Sequence, residues 1–293
     1  MALFDPSIAP LSKHCQKLVE AAKSGSGAIT YLDHIEKLWQ AYQPFASPNF
    51  QRHLLTDDSK FHSLTWEMIL GNTLTEHGYE LEPSRDDNRP DLCIVFKEQK
   101  IWIECCLPTR GDPAKPNSVQ EIPSDGEFHE VDPDKSVLRC TAALAAKKQQ
   151  HLRWIADGVC NQNDPFIIAI NGRNLRLSIH NVSLPDILRA LYGTGDMYAV
   201  FDPKDLSRKE SGYQFKPTIV KSEDTNIPTT FFLERDNGHI SGTVYSTYWI
   251  EHYSSSPQYC YVENVNTNNR TGPIFGEFCQ TYQYQQNQIK MLD

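Results

Sequence analysis

One acid in this chain sits where an acid is hardest to place. Glu104 lies in the run Ile101–Cys106, flanked by Ile101, Trp102, Ile103 and Cys105, residues suited to burial. Burying an ionised carboxylate costs several kcal/mol unless cations or hydrogen bonds compensate it. The run reads as a β-strand, so Trp102, Glu104 and Cys106 share one face while Ile101, Ile103 and Cys105 share the other. The fold must therefore bring partners to Glu104 or leave it on a sheet edge facing solvent.

The stretch Trp66–Thr109 supplies those partners. An amphipathic helix carries Glu67 and sets Leu64, Met68, Ile69 and Leu74 on an apolar face. A short extended piece (Tyr79 to Leu81) and a polar turn follow, and Asp91 then opens a first apolar strand, joined to the second through Lys97–Lys100. So short a connection makes the strands neighbours, and Asp91 and Glu104 converge. Convergent acids repel unless a cation lies between them. Oxygen ligands of this kind suit Mg²⁺ or Mn²⁺, and the chemistry they serve is metal-assisted hydrolysis of a phosphodiester. Taken singly, each residue has a plainer reading: Asp91 as a turn-ending acid, Glu67 as an ordinary helix residue.

Upstream, helical spacing covers residues 12 to 24 and Thr30 to Tyr42, and the polar, proline-bearing stretch from Pro44 to Lys60 reads as a linker. After Thr109 the sequence turns polar and proline-rich as far as Asp132, a surface loop or flap. Residues 134 to 156 are helical, with Leu138, Thr141, Ala145, Lys148, Leu152 and Ile155 forming a stripe, and Phe166–Gly172 is a buried strand. The order helix, three strands, helix, strand is that of a mixed α/β core. Beyond it, Leu184 to Leu191 reads as a short helix, and Met197 to Phe201, Gln214 to Val220 and residues 240 to 253 as strands. The expected organisation is an N-terminal helical attachment (1–60), a core (61–175) and a C-terminal mixed, strand-rich extension packed on it (176–293).

Composition removes several function classes. The eight cysteines include no C-x-x-C pair, the ten histidines no H-x-x-x-H on an expected helix, and there is no G-x-S-x-G elbow. No apolar run approaches the roughly 18 residues that would span a bilayer, so no membrane association is expected. The first residues lack a basic segment followed by a long apolar one, which makes the cytoplasm the expected compartment. A net charge of −9 opposes general polyanion binding but not a local basic strip beside an acidic metal site.

Glu67 on a helix, Pro90–Asp91 at a strand start and Glu104 in the next strand, followed by a helix and a buried strand, resemble the PD-(D/E)XK nuclease superfamily over residues 61 to 172. The resemblance implies a restriction-endonuclease-like mixed sheet flanked by helices. It implies Mg²⁺ or Mn²⁺ on Asp91 and Glu104, Glu67 as an outer ligand or water-holder, a nucleic-acid substrate with DNA ahead of RNA, and action as a homodimer as one option. It also implies a lysine two residues after the second acid, where this chain has Cys106. Some members carry that lysine on the following helix. Here the stripe favours Lys148, with Lys147 next because it shares a face with Ala143 and Arg139; Arg139 and Gln150 are expected to contact phosphate or water. The alternative is a catalytically inactive nuclease fold that binds nucleic acid or a protein partner.

Overall fold

The structure, a computed structural model, describes residues 2–5, 7, 9–25, 28–121, 123, 125–127, 129, 132–175, 184–248, 250–252, 257–272, 274–285 and 288–292. Its frame is an eight-stranded mixed sheet. The strands are β1 (Glu80–Leu81), β2 (Leu92–Phe96), β3 (Gln99–Cys106), β4 (Phe166–Asn171), then β9 (Gly242–Ser246), β10 (Tyr259–Glu263), β11 (Cys279–Gln285) and β12 (Gln288–Leu292), in that spatial order. Two hairpins, β5 (Thr194–Phe201) with β6 (Arg208–Phe215) and β7 (Thr218–Ser222) with β8 (Thr225–Pro228), stand outside it. The C-terminal strands thus lengthen the sheet that begins with β1.

The site depends on the β2–β3 hairpin. Its turn residues Lys97 and Glu98 both have positive φ, 51° and 66°, the geometry of a two-residue turn whose twist matches the flanking strands. That turn sets the register Phe96↔Gln99 through Leu92↔Ile103. One step beyond Leu92 and Ile103, Asp91 faces Glu104. Next to β3 lies parallel β4, and the crossover between them carries α5 (Pro133–Ala156), capped by the Asp132 side chain on the Asp134 N–H and by proline at its first turn. β4 is buried along its whole length, because it packs both faces: Ile167 and Ala169 into one core, Phe166, Ile168 and Ile170 into the other.

Helix α4 (Phe61–Glu76) covers the first of these faces and α5 the second. The sequence places α4 as an amphipathic helix with one apolar face, yet Trp66, Glu67, Met68, Ile69, Leu70, Gly71 and Asn72 are all buried. The reason is a second layer: α1 (Lys13–Lys23), α2 (Ala28–Tyr42) and α3 (Phe50–Thr56) close over its outer side. Trp66 donates from Nε1 to the Ala169 carbonyl at 3.1 Å, tying α4 to β4, and Asn72 donates to the Leu38 carbonyl at 2.8 Å, tying it to α2. Phe50, Leu54 and Leu55 are buried on α3, which corrects the reading of Pro44 to Lys60 as a linker.

Other differences are local. The α5 stripe is Cys140, Leu144, His151 and Trp154, while Ala145 and Leu152 are exposed. Gln214 to Val220 is broken at Lys216–Pro217 between β6 and β7, and of residues 240 to 253 only Gly242–Ser246 is strand, with residues 249 and 253 outside those described. From Thr109 to Asp132 the described residues form no helix or strand, as expected of a loop, although Ser118 and Val119 are buried. No described helix is long and apolar enough to cross a membrane.

Gly71 allows the close approach of α2. A Cβ there would lie 2.6 Å from Cε2 of Tyr42. Alanine normally gains about 1 kcal/mol over glycine inside a helix, but overpacking costs about 1–3 kcal/mol. Gly71→Ala is expected to lower the melting temperature measured by circular dichroism; a rise would show that α2 does not pack here.

Candidate functional site

Asp91 and Glu104 interlock through the strand register. The Asp91 N–H donates to Glu104 Oε2 at 3.2 Å, and the Cys105 N–H donates to Asp91 Oδ2 at 2.8 Å. Glu104 therefore holds the backbone of Asp91, and Asp91 holds that of Cys105, the residue after Glu104, which fixes the pair without help from a loop.

Two helices complete the group. From α5, Lys147 donates from Nζ to Glu104 Oε1 at 2.6 Å and to Gln150 Oε1 at 3.1 Å. From α4, Glu67 approaches the same cleft, and Tyr42 at the end of α2 donates its hydroxyl to Glu67 Oε1 at 2.6 Å. The cleft has a volume of about 510 Å³, and Glu67, Asp91, Glu104, Cys106, Lys147 and Gln150 all line it. A larger groove of about 760 Å³ lies between the β5–β6 hairpin and β12, but its lining is mainly aromatic and amide, with Glu210 as its one carboxylate. It offers no convergent acids.

Burial dominates the electrostatics. Glu104 is 3% exposed and Glu67 5%. Burial pushes the Glu104 carboxyl up to about 8, with Asp91 adding to the rise and Lys147 opposing it. Glu67 is raised well above the carboxylate range by burial and then by Asp91, against the Tyr42 hydrogen bond. Asp91 is also raised by burial, with Lys147 and the Cys105 N–H opposing. Burial alone would lower the Lys147 ammonium, but its pairing with Glu104 outweighs this and leaves it raised. Lys147 stays charged while the three acids hold more protons at neutral pH than exposed carboxylates would. Cys106, its thiol pushed by burial up to about 12, is a neutral neighbour.

The arrangement can accept a cation. Its donors are oxygens, and burial raises all three acids where a divalent ion would compensate their charge. Among the described residues no three His, Cys, Asp or Glu side chains form a ready metal cage. An ion here would draw on two carboxylates, with water and phosphate oxygens as its other ligands, the usual manner for Mg²⁺.

The expected residues divide clearly. Glu67, Asp91, Glu104, Lys147 and Gln150 meet in the cleft. Lys148, favoured by the sequence stripe, does not line it and instead lies near enough to His239 to lower that imidazole's pKa, after burial. The correction follows from the true stripe through Leu144 and His151, which puts Lys147 on the Glu104 flank. Arg139 is also absent from the cleft: its Nε donates to the Thr109 carbonyl at 2.8 Å and its Nη2 to Thr109 Oγ1 at 3.2 Å, holding the loop after β3. Sequence reading missed Tyr42 and Arg89, since nothing local marks a tyrosine at a helix end or an arginine in a polar turn as facing distant acids.

No protein-family profile, curated protein or solved structure matches the chain.

The raised Glu104 carboxyl has a consequence for stability. The folded protein binds this proton more tightly than the unfolded chain, so its contribution is full below about 4.5 and is lost as pH rises to about 8. Thermal melts in EDTA are expected to show stability falling across that window, and Glu104→Gln, which cannot ionise, to flatten the fall. An equally steep decline in the variant would assign it to other groups.

Proposed function

We propose that this protein is a metal-dependent phosphodiesterase acting on nucleic acid, a divergent nuclease of the PD-(D/E)XK kind with a restriction-endonuclease-like core. The observation that carries the reading is the Lys147–Glu104 contact of 2.6 Å. It sets an ammonium beside an acid pair held in strand register and supplies from α5 the charge that Cys106 cannot. The order α4, β1, β2, β3, α5, β4 supports the same fold.

In this reading Asp91 and Glu104 hold Mg²⁺ or Mn²⁺, which when bound lowers the pKa of a ligating water and stabilises charge on the phosphate. Glu67, oriented by Tyr42, holds water on the far side of the pair. Lys147 stabilises the charge that develops on the phosphate oxygens and, through Gln150, keeps its ammonium aimed at the cleft. DNA is the proposed substrate ahead of RNA. A homodimer is one proposed assembly, by analogy of fold.

Purified protein incubated with plasmid, single-stranded DNA and RNA is expected to cleave in Mg²⁺ or Mn²⁺ and not in EDTA, with Asp91→Ala and Glu104→Ala both inactive. Lys147→Ala is expected to cut the rate about a hundred- to a thousandfold, and adding Cys106→Lys in that background to restore part of it. Cleavage that survives both acid substitutions would sink the proposal. Binding without cleavage in every variant would leave the inactive nuclease fold as the correct reading.

A further inference from the structure

We propose that Arg89 is a phosphate-binding residue of the same cleft, contacting the nucleic-acid backbone beside the phosphate that meets the acids; the identity of the ligand rests on the phosphodiesterase reading. Arg89 precedes Asp91 by two residues and lines the cleft with it. Its Cζ lies 4.9 Å from the centroid of the Trp102 ring, on the strand that carries Glu104. That cation–π contact fixes the guanidinium on the cleft wall.

Among the described residues the charge of Arg89 has no counter-ion at ion-pair distance. Its Nε and Nη2 are shielded from solvent without a protein partner among those residues. Glu82, close enough to feel Arg89, is paired with Lys100 at 2.9 Å. A guanidinium remains charged at any ordinary pH, so a half-buried and unpaired one is costly until an anion completes it. Asp86 and Asp87 line the same cleft but are exposed, and the Asp87 carboxylate accepts from the Asn49 side chain.

The ligand's chemistry follows from the neighbours. A carboxylate or a lone phosphate entering alone would meet Glu67, Asp91 and Glu104 as well as Lys147. A polynucleotide presents successive phosphates, so one can lie at the metal-competent acids while the next lies on Arg89.

The test is binding, read separately from cleavage. Affinity for a short fluorescein-labelled oligothymidylate would be measured by anisotropy in EDTA over a series of salt concentrations. The proteins would be wild type, Arg89→Lys and Arg89→Met, the last keeping an aliphatic stem on Trp102. Arg89→Met is expected to bind roughly tenfold more weakly and to lower the slope of log affinity against log salt by about 0.7. Arg89→Lys is expected to keep the slope and lose part of the affinity. An oligomer with uncharged methylphosphonate linkages is expected to bind wild type and Arg89→Met alike. In the unmodified protein, the oligomer is expected to shield Arg89 from phenylglyoxal, and inorganic phosphate at equal concentration to do so far less.

Unchanged affinity and slope in Arg89→Met would overturn the proposal, as would full reaction of Arg89 with phenylglyoxal in the presence of the oligomer. The phenylglyoxal measurement decides the matter if Arg89→Met unfolds. Equal protection by inorganic phosphate would show a free-phosphate site and overturn the backbone assignment. If wild type cleaves nothing but the slope falls in Arg89→Met, the hydrolytic reading fails and the Arg89 assignment stands. If metal-dependent cleavage occurs and the slope is unchanged, the hydrolytic reading stands and the Arg89 assignment fails.

Discussion

The hydrogen-bonded register between Asp91 and Glu104 is the constraint on which the rest of the site depends. Two positive-φ residues, Lys97 and Glu98, set that register, and a one-residue slip would send Glu104 to the face now held by Ile103 and Cys105. With the register fixed, Glu104 accepts from the Asp91 N–H at 3.2 Å and Asp91 accepts from the Cys105 N–H at 2.8 Å. The pair is then a rigid, proton-holding unit, and everything around it serves to compensate its charge.

Compensation comes from both faces of the sheet. Lys147 reaches Glu104 from α5, and Tyr42 reaches Glu67 through α4 from the outer helical layer. The N-terminal helices are therefore part of the site's support: Gly71 admits the Tyr42 ring, and Asn72 ties α4 to α2. Burial raises the acids, and against burial the pairing with Glu104 keeps Lys147 protonated. That combination places a fixed positive charge beside carboxylates that a divalent ion would deprotonate, which is the electrostatic basis of the proposed hydrolysis.

Arg89 extends this logic along the cleft. Lys147 pairs with Glu104, whereas Arg89 is held on Trp102 with no carboxylate of its own among the described residues. A cleft with one cation paired at the acids and a second, unpaired one two residues before Asp91 is matched to an anion that brings its charge in more than one place. The negative net charge of the chain is no obstacle to this, because it acts at long range and is screened by salt, while the cleft acts at contact.

Sequence by itself determined the strands around Glu104, the alternation that separates Trp102, Glu104 and Cys106 from Ile101, Ile103 and Cys105, and the convergence of Asp91 with Glu104. These follow from local periodicity and from a connection too short to allow another neighbour. It also supplied α1, α2, α4 and α5, but it misjudged how α4 is surrounded and missed α3, because burial of a helix's second face is set by whatever packs there. Only the tertiary structure showed that Lys147, and not Lys148, reaches Glu104. Both lie near the α5 stripe, and the choice turns on a helix rotation of one residue, fixed by Cys140, Leu144, His151 and Trp154 packing against the sheet. Tyr42 and Arg89 belong to the same class: their roles arise from contacts across 25 residues to Glu67 and from the face of Trp102, and no local pattern encodes a meeting of that kind.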